Sequence, residues 1–580
     1  MLWTGLGDAA ARWCKIVSAV GLLALAPHLA TGASLTVQQA SWDPANFSVH
    51  VYVSNEGNAP CGAIDLHVTA GATREEARAL PLHWSRIRPN PVPVGGHACV
   101  TACLRDVPEG NVALQLALDD GSVLETEVAL RSPELTVAFI AADEARRGLR
   151  AYVQSTSPTG ADDRLTGVRL DGQELGASTA IGGDGRLFRG WVALDLPMPS
   201  AASPSGYHVL EVETETGART HEQFRVCPVP FLLGAYGALN HGVLADMAAH
   251  SLNHYACFGR LSPTDLRLLD ACGLTAGCTP FADSRGAAAL PPSEAARERG
   301  IVPRLLAQYG SAHCLRYVCV MEEPDYRDYF ETGLGFHAPE AVQRAALCNQ
   351  HAPELPTLIQ IDNTYRYANY RVYGEIADAC ASNRYALGRG AAVSEIAEAC
   401  DMLRATSQPR PWFFIPQFFR LSQGEGDDRL GRMPALAEMQ LQCYVALAHG
   451  ARGIIYYCHS GDSRGGEGPS DAHLWDAMGP LHRALRQVGD VIAHGNATDW
   501  IECDSPLVAA RAIACPPEAV LLVVYNRGVR SDLDNCLVPV ARDVDLTLHL
   551  PPWLTPAALT DGQTGKDIPY ETSEAGLRCR

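Results

Sequence analysis

The chain has 580 residues, of which 47% are hydrophobic and 19% charged, and its formal net charge at pH 7 is −19. This composition excludes an intrinsically disordered chain, and the length predicts three or four domains rather than one core. The negative charge argues against nucleic acid as a partner, because proteins that bind it neutralise phosphates with Lys and Arg. A neutral or cationic small molecule, or a sugar, is compatible with it.

The first 33 residues have the pattern of an export signal. Arg12 and Lys15 provide positive charge, an apolar run extends from Ile16 to Ala30, and Thr31-Gly32-Ala33 offers small residues for cleavage. The run is shorter than the roughly 20 apolar residues of a membrane span, so cleavage is expected and a retained anchor is the alternative. The sequence therefore predicts a secreted or periplasmic protein with no integral membrane segment after cleavage.

The chain contains 19 cysteines, and 18 remain after the leader that holds Cys14. Most of them lie in apolar runs, where cysteine behaves as a small hydrophobic residue. The sequence has no CxxC pair and no HExxH motif, so we expect no metal ion. In an oxidising compartment a disulfide between Cys61 and either Cys99 or Cys103 is a possible pairing.

Two β-sandwich domains are predicted first, over residues 34–132 and 133–227. In both, short runs of alternating polar and apolar residues, such as 48–53 and 207–212, are separated by turn sequences such as Asn55-Glu56-Gly57-Asn58 and Leu170-Asp171-Gly172. Neither region concentrates catalytic residue types. We expect these domains to act as scaffold or to contact carbohydrate.

The sequence pattern changes after Pro228-Val229-Pro230, and residues 228–500 alternate short apolar strands with helices. The strand candidates are 231–236, 254–258, 274–278, 317–321, 357–361, 385–388, 412–415 and 453–457, with helices such as 263–272, 339–350, 391–405 and 435–449. Eight such units predict a (β/α)8 barrel. The alternative is an open doubly wound sheet, but Gly234-Ala235-Tyr236-Gly237 lacks the dinucleotide-binding spacing that such a sheet would favour. We expect no cofactor.

Residues 501–580 return to β structure, with convincing strands at 521–526 and 544–550. They predict a small C-terminal β-sandwich that packs on the barrel. The fold class is therefore multidomain β plus α/β, in which a (β/α)8 barrel is flanked by β-sandwich domains.

The strongest catalytic candidates are Glu322 and Glu323, which follow the fourth strand in Met321-Glu322-Glu323-Pro324. Active-site residues of such barrels lie where strands end, and Pro324 turns the chain out of the strand. Glycoside cleavage needs a carboxylic acid to protonate the leaving oxygen and a second group as nucleophile, base or substrate-orienting group. An adjacent carboxylate and apolar walls would hold a proton on the acid near neutral pH.

Other strand ends add aromatic and amide side chains, which suit stacking on sugar rings and hydrogen bonding to hydroxyl groups. Together they predict a carbohydrate site at one barrel mouth. The candidates for substrate binding are Tyr236, Asn253, Asp362, Asn363, Gln417, Tyr456 and His459.

These motifs resemble a group of barrel glycoside hydrolases that includes the family 123 β-N-acetylgalactosaminidases and related bacterial barrels. Met321-Glu322-Glu323-Pro324 is similar to their fourth-strand Asp-Glu-Pro motif, Pro416-Gln417-Phe418 to their seventh-strand Gln-x-Phe region, and 438–457 to their last helix and eighth strand. The resemblance covers residues 228–500, and the order of the domains is similar too.

The resemblance implies that Glu323 is the general acid/base and that Glu322 stands where the family has the Asp that orients the substrate's 2-acetamido group. Glutamate is one methylene longer than aspartate, so the geometry at that group would differ. Retaining barrels with two catalytic glutamates place the nucleophile on strand seven, where this chain has Gln417. A two-carboxylate mechanism would therefore need Asp362 as partner, and the missing glutamate favours substrate assistance.

Two other functions are compatible with the same sequence. The barrel domain of a carbohydrate-binding protein without catalysis would also lack the strand-seven acid. A metal-dependent hydrolase could use His459, Asp462 and His473, although their spacing matches no familiar metal site.

Overall fold

The computed structural model describes residues 34–579 except 71–77, 144–146, 158–161, 200–205, 227–229, 258, 283–291, 363–365, 388–392, 421–431, 460–470, 533–534, 542–543 and 574–575. The predicted leader, residues 1–33, and the predicted boundary at Pro228-Val229 lie outside the described residues.

The strands of the first β region are β1 (Leu35–Asp43), β2 (Ser48–Asn55), β3 (Ala63–Ala70), β4 (Arg78–Ala79), β5 (Leu82–Arg88), β6 (His97–Leu104), β7 (Asn111–Leu118) and β8 (Val123–Ala129). They form two antiparallel sheets, β1-β2-β6-β5 and β4-β3-β7-β8. Every second residue of β7 is buried, as expected for a strand with one face on a core. Val51 of β2 and Leu114 of β7 belong to one core, so the two sheets pack as a sandwich.

The strands of the second β region are β9 (Leu135–Asp143), β10 (Gly148–Ser155), β11 (Leu165–Leu170), β12 (Gln173–Glu174), β13 (Trp191–Pro197), β14 (Tyr207–Thr214) and β15 (Arg219–Arg225). The sheets have the orders β13-β10-β9 and β12-β11-β14-β15. Val153 of β10 and Leu210 of β14 share one core, which makes this region sandwich-like as well.

A closed barrel of parallel strands follows, formed by β16 (Leu232–Tyr236), β17 (His254–Ala256), β18 (Thr275–Cys278), β19 (Leu315–Glu322), β20 (Thr357–Ile361), β21 (Ala379–Ser382), β22 (Trp412–Phe414) and β23 (Gly453–Tyr456). Strand β16 pairs with β23 and closes the barrel. The predicted (β/α)8 barrel is confirmed, and the alternative of an open doubly wound sheet is wrong.

The helices of this region are α1 (His241–Ala249), α2 (Pro263–Ala271), α3 (Pro292–Gly310), α4 (Pro324–Arg327), α5 (Ala338–His351), α6 (Tyr367–Tyr373), α7 (Val393–Ser407), α8 (Leu436–Ala448), α9 (Ala472–Gln487) and α10 (Gly489–His494). A π-helical turn, Asp328–Thr332, continues α4. The predicted helices correspond to α2, α5, α7 and α8. In α2 a capping box between Ser262 and Asp265 fixes the start of the helix.

One predicted barrel strand is wrong. The sixth strand is Ala379–Ser382, not 385–388. Its sequence, Ala-Cys-Ala-Ser, consists of small residues with little β-propensity, so the more apolar segment that follows resembles a strand better. In the fold, residues 383–387 lead away from the strand end into the barrel mouth.

The C-terminal strands are β24 (Asn496–Thr498), β25 (Ile501–Cys503), β26 (Val508–Cys515), β27 (Ala519–Asn526), β28 (Arg530–Ser531), β29 (Cys536–Leu537), β30 (Leu546–Leu548), β31 (Tyr570–Ser573) and β32 (Gly576–Cys579). They form the antiparallel sheets β24-β26-β27, β25-β30-β32-β31 and β28-β29. Val523 and Tyr525 of β27 join the outer core of the barrel, while Trp500 packs with Trp191 of the second β region. The predicted packing of this region on the barrel is confirmed.

The suggested disulfide is not present. Cys61, Cys99 and Cys103 are buried free thiols, and burial raises the pKa of Cys99 to about 12. Within the described part of the chain, no helix is long and apolar enough to cross a membrane.

Candidate active site

The carboxyl ends of the barrel strands carry a set of acidic, amide and aromatic side chains, which we call the barrel mouth. Catalytic groups of (β/α)8 barrels lie at this end of the strands. The mouth consists of Tyr236, Glu322, Glu323, Gln360, Asp362, Asn383, Tyr385, Gln417, Phe419 and Tyr457.

A β-bulge near the end of strand β19 sets the direction of Glu322. Cys319 pairs with Leu358 of β20 but Met321 pairs with Ile359, so Val320 is an extra residue. Val320 and Met321 both pack in the outer core. Glu322 therefore returns to the inner face, where it is 3% exposed and lies in register with Gln360.

Glu323 has an unusual backbone conformation. Its φ and ψ are both 48°, in the left-handed region that glutamate rarely adopts. The backbone is held there by the Glu323 N–H, which donates to the Gln360 carbonyl at 2.8 Å, and by the Glu323 carbonyl, which accepts from Tyr326 N at 3.2 Å. Strained residues of this kind concentrate at functional sites, where the surrounding structure compensates their cost.

The side chain of Glu323 is also fixed. Asn383, which follows strand β21, donates from Nδ2 to Glu323 Oε1 at 2.8 Å. The bond spans from the end of the fourth strand to the end of the sixth. Glu323 is only half-buried, so its carboxyl group is held in one orientation while remaining accessible to a ligand.

Asp325 is a further buried carboxyl group next to the mouth. Its Oδ1 accepts from the backbone N–H of Asp362 and its Oδ2 from Asn369 Nδ2, both at 2.9 Å. Burial, with the charges of Asp362 and Glu323, raises the pKa of Asp325 to about 8. Asp325 is thus largely protonated at neutral pH and joins the loop after strand four to strand five and helix α6.

The opposite side of the mouth is an aromatic wall of Tyr236, Tyr385, Phe419 and Tyr457. The ring centroid of Tyr457 lies 5.7 Å from Tyr236, 6.1 Å from Tyr385 and 5.6 Å from Phe419. Tyr457 and Phe419 are half-buried, so part of each ring is accessible. Tyr236 also donates from its hydroxyl to Gln360 Oε1 at 3.0 Å, which connects the aromatic wall to the strand beside Glu322.

Gln417 lies on the inner face beyond the end of strand β22, where Phe413 and Ile415 point into the barrel. Its backbone N–H donates to Gln442 Oε1 at 2.9 Å, and its side-chain Nε2 donates to the Phe419 carbonyl at 3.2 Å. Gln417 is 1% exposed, and no described residue donates to its Oε1. This amide oxygen is an acceptor that a ligand hydroxyl or amide can satisfy.

Three of the predicted site residues lie away from the mouth. Asn253 is at the opposite end of the barrel, where its amide bonds to Leu233 N and the Phe231 carbonyl, both at 2.8 Å. Its position before strand β17 puts it at the amino-terminal end, so its prediction as a substrate-binding residue is wrong.

Tyr456 and His459 point to the outside of the barrel wall. Tyr456 Oη lies 3.2 Å from Cys443 Sγ of helix α8, and its neighbour Tyr457 faces the mouth instead. His459 Nε2 lies 2.7 Å from Asp246 Oδ2 of helix α1, and burial lowers the pKa of His459 against the effect of Asp246. Both residues are packing residues of the barrel exterior, and their predictions as substrate-binding residues are wrong.

Asn363 and Asp462 lie outside the described residues. Of the remaining residues considered as metal ligands, His459 is paired with Asp246 and His473 is exposed on helix α9. In the ranges that the structure describes, no group of three His, Cys, Asp or Glu side chains is placed to hold a metal ion.

The sequence did not predict Asp325, Asn383, Tyr385 or Phe419 as residues of the mouth, whereas Tyr457 closes the eighth strand beside Tyr456 and was expected at a strand end. Asp325 stands in the same acidic run as Glu323, so it had a signal in the sequence. Asn383 and Tyr385 had none, because the sixth strand was predicted too late in the chain. The geometry brings a fixed, accessible carboxyl group opposite an aromatic wall, which is suited to protonating a leaving oxygen on a ring-shaped ligand.

Neither a family model nor a curated protein matches the sequence. Solved structures that are similar in fold include glycosidases. A β-galactosidase from the psychrophilic Marinomonas ef1 has a TM-score of 0.36 and 10% identity, over 46% of this chain and 62% of that one. The chain thus spans about three fifths of the length of this β-galactosidase.

Two β-glucuronidases are covered over more of their length. The FMN-binding β-glucuronidase of Faecalibacterium prausnitzii L2-6 has a TM-score of 0.33 and 9% identity, over 88% of this chain and 92% of that one. The Ruminococcus gnavus enzyme in complex with D-glucaro 1,5-lactone has a TM-score of 0.31 and 10% identity, over 75% and 88%. At this level of similarity, substrate and mechanism have to be argued from the site of this chain.

Proposed function

We propose that this protein is a glycoside hydrolase that uses Glu323 as its proton donor. The observation that carries the proposal is the placement of Glu323 at the end of strand four. Its carboxyl group is accessible, oriented by Asn383, and held on a left-handed backbone opposite the aromatic wall. Sugar rings present apolar faces that stack on such rings, and their hydroxyl groups suit the amide of Gln417 and the buried Gln360.

We further propose a retaining, substrate-assisted mechanism, as the resemblance to the family 123 β-N-acetylgalactosaminidases implies. In this mechanism Glu323 gives its proton to the glycosidic oxygen while the oxygen of the substrate's 2-acetamido group attacks C1 and the glycosidic bond breaks. Water then attacks C1, the deprotonated Glu323 takes its proton, and the acetamido group is restored. Glu322, buried beside Gln360, orients the acetamido N–H.

Gln417 supports substrate assistance over two catalytic glutamates, because an amide on strand seven cannot act as the nucleophile. If the mechanism uses two carboxylates, Asp362 at the end of strand five is the partner. Its backbone N–H bonds to Asp325, which restricts how far this residue can move.

The second candidate function is a carbohydrate-binding barrel without hydrolysis. Gln417 is also the observation that favours it, since the residue replaces an acid with a neutral hydrogen-bonding group. The aromatic wall would then bind a sugar that is not cleaved.

The test is a panel of aryl glycosides that includes matched 2-acetamido and 2-hydroxy sugars, assayed with the wild-type protein and Glu323→Gln. Hydrolysis that Glu323→Gln abolishes supports the proposal, and a thiazoline analogue of the cyclised acetamido group should inhibit it. Equal hydrolysis of 2-hydroxy sugars would replace substrate assistance by the Asp362 mechanism. Binding without hydrolysis across the panel would establish the second candidate.

We also propose that the protein is exported to the periplasm or the exterior, on the pattern of residues 1–33. Fractionation of a producing bacterium, with mass analysis of the N-terminus, tests this. A mature chain that begins near residue 34 is the expected result, and an intact leader in the membrane fraction would indicate the anchor.

A further inference from the structure

A small cleft lies at the amino-terminal end of the barrel, remote from the mouth and partly open to solvent. We call it the arginine cleft, because it is lined by Arg86, Arg88, Arg225 and Arg410, with Asp378 and Tyr207. The cleft joins three parts of the fold. Arg86 and Arg88 belong to β5, Tyr207 and Arg225 to the second β region, and Asp378 and Arg410 precede barrel strands β21 and β22.

The positive charges of the four guanidinium groups outnumber the negative charges of the nearby carboxylates. Arg225 pairs with Asp378 at 2.6 Å, and Arg410 lies 3.8 Å from Glu375. Arg86 and Arg88 form no ion pair with any described carboxylate. They donate to backbone carbonyls instead, Arg86 Nη1 to Glu375 and Ile376 at 2.5 and 2.9 Å, and Arg88 Nη2 to Ile376 at 2.7 Å.

The acidic side chains near the cleft do not neutralise the remaining positive charge. Glu375 already accepts from His50 at 3.0 Å. Burial raises the pKa of Glu222 to about 8, so this carboxyl group is mostly neutral at pH 7. Burial and the charges of Arg88 and Arg410 lower the pKa of Arg86 to about 9, as expected where cations are gathered without enough anions.

Some N–H donors of the cleft have no hydrogen-bond acceptor among the described residues. Arg86 Nε and Arg410 Nη1 are buried and have no acceptor among the described residues. Arg88 and Arg225 both lie against the ring of Tyr207, with guanidinium carbons 5.4 and 5.6 Å from its centroid. This stacking holds both guanidinium planes in fixed directions at the wall of the cleft.

We propose that the arginine cleft binds a small oxyanion carrying two negative charges, or one such group on a larger molecule. Two unpaired guanidinium groups balance two negative charges, and a planar fork of N–H donors matches phosphate, sulfate and carboxylate oxygens. The bound anion would connect the first sandwich, the second sandwich and the barrel. The proposal is independent of the glycosidase proposal, because no residue of the barrel mouth takes part.

The test is isothermal titration calorimetry of the full chain with inorganic phosphate, sodium sulfate and glucose 6-phosphate at constant ionic strength. The wild-type protein is compared with Arg86→Gln and with the control Arg219→Gln, an exposed arginine on β15. We expect Arg86→Gln to weaken binding by about tenfold or more, as for the loss of a charge-assisted hydrogen bond. Arg219→Gln should bind like the wild type.

The three anions identify the source of the oxyanion. Binding of phosphate or sulfate alone indicates a free inorganic anion, and binding of glucose 6-phosphate alone indicates the same doubly charged group on a larger molecule. If Arg86→Gln does not fold, Arg86→Lys and Arg410→Gln replace it, and both should weaken binding. No binding by the wild type at millimolar concentrations, or equal binding by the wild type and the cleft variants, would overturn the proposal.

Discussion

Asn383 Nδ2 donates a hydrogen bond to Glu323 Oε1 at 2.8 Å, and this bond connects the ends of the fourth and sixth barrel strands. Asn383 is 1% exposed, so its amide is fixed and can hold the carboxyl group of Glu323 in one direction. Asn383 is therefore a positioning residue in the proposed hydrolase, and Glu323 is the group that reacts.

Replacing Asn383 by Ala should lower kcat by about tenfold to a hundredfold, because the carboxyl group of Glu323 loses the hydrogen bond that orients it and is free to rotate. KM should change little, since Asn383 acts on Glu323. Steady-state kinetics on the best aryl glycoside measures both constants. Asn383→Leu, which fills the space without donating, is the control for packing and should lower kcat as Asn383→Ala does. A rise in KM alone would show that Asn383 binds substrate instead.

The left-handed backbone at Glu323 predicts a stability effect that separates its conformation from its chemistry. Glu323→Gly and Glu323→Ala both remove the carboxyl group, but only glycine adopts a φ of 48° without cost. We expect Glu323→Gly to be more stable than Glu323→Ala by about 1 kcal/mol, after the greater flexibility of glycine in the unfolded chain is allowed for.

Thermal or urea unfolding of the two variants measures this difference, and both should be inactive. Alanine equal to or more stable than glycine would mean that the left-handed conformation is not strained in this setting. Gly333, with a φ of 108°, supplies a comparison in the same loop, where Gly333→Ala should destabilise.

Asp325 predicts how stability depends on pH. Burial raises the pKa of Asp325 from an ordinary value of 3.8 to about 8 in the folded protein. The folded state therefore holds this proton more tightly than the unfolded chain does. The contribution to stability is fully present below about pH 4 and is lost as the pH rises towards 8.

Asp325→Asn should flatten the fall in the melting temperature between pH 5 and pH 8, roughly the window set by the two pKa values. This requires the Asn369 amide to turn so that its oxygen accepts from the new amide. Glu222, with a pKa also raised to about 8 by burial, acts in the same direction and shares no charged neighbour with Asp325. Glu222→Gln should flatten the curve separately, and the double variant should combine both effects. An unchanged slope in Asp325→Asn would refute the raised pKa.

The sequence was sufficient for the barrel, because alternation of strands and helices is a local property of the chain. It also predicted that Glu323 follows the fourth strand, and a residue directly after a buried barrel strand lies at the mouth whichever way the strand is turned. Which side chains face the inside of the barrel and which face the outside could not be predicted from the sequence in the same way. One bulged residue, Val320, decides that Glu322 points inward, and no local sequence pattern predicts the bulge.

The arginine cleft could not be predicted from the sequence for a different reason. Arg86, Arg225 and Arg410 come from three parts of the chain separated by more than a hundred residues each, and only the packing of the sandwiches on the barrel brings them together. The sixth strand illustrates a third limit, since tertiary context makes a strand of Ala-Cys-Ala-Ser against its intrinsic preference.

The neighbours Tyr456 and Tyr457 offer a matched test of the aromatic wall. Tyr457 faces the mouth between Tyr236, Tyr385 and Phe419, whereas Tyr456 faces helix α8. Tyr457→Ala should raise KM for an oligosaccharide, or weaken its binding to Glu323→Gln, by about tenfold or more, the amount expected when an aromatic ring no longer covers apolar surface. Tyr457→Phe should keep most of the affinity, because it retains the ring. Tyr456→Phe removes only the hydroxyl contact with Cys443 and should leave both constants unchanged. If Tyr456→Phe and Tyr457→Ala weakened binding equally, the assignment of these two residues to opposite faces of the strand would be wrong.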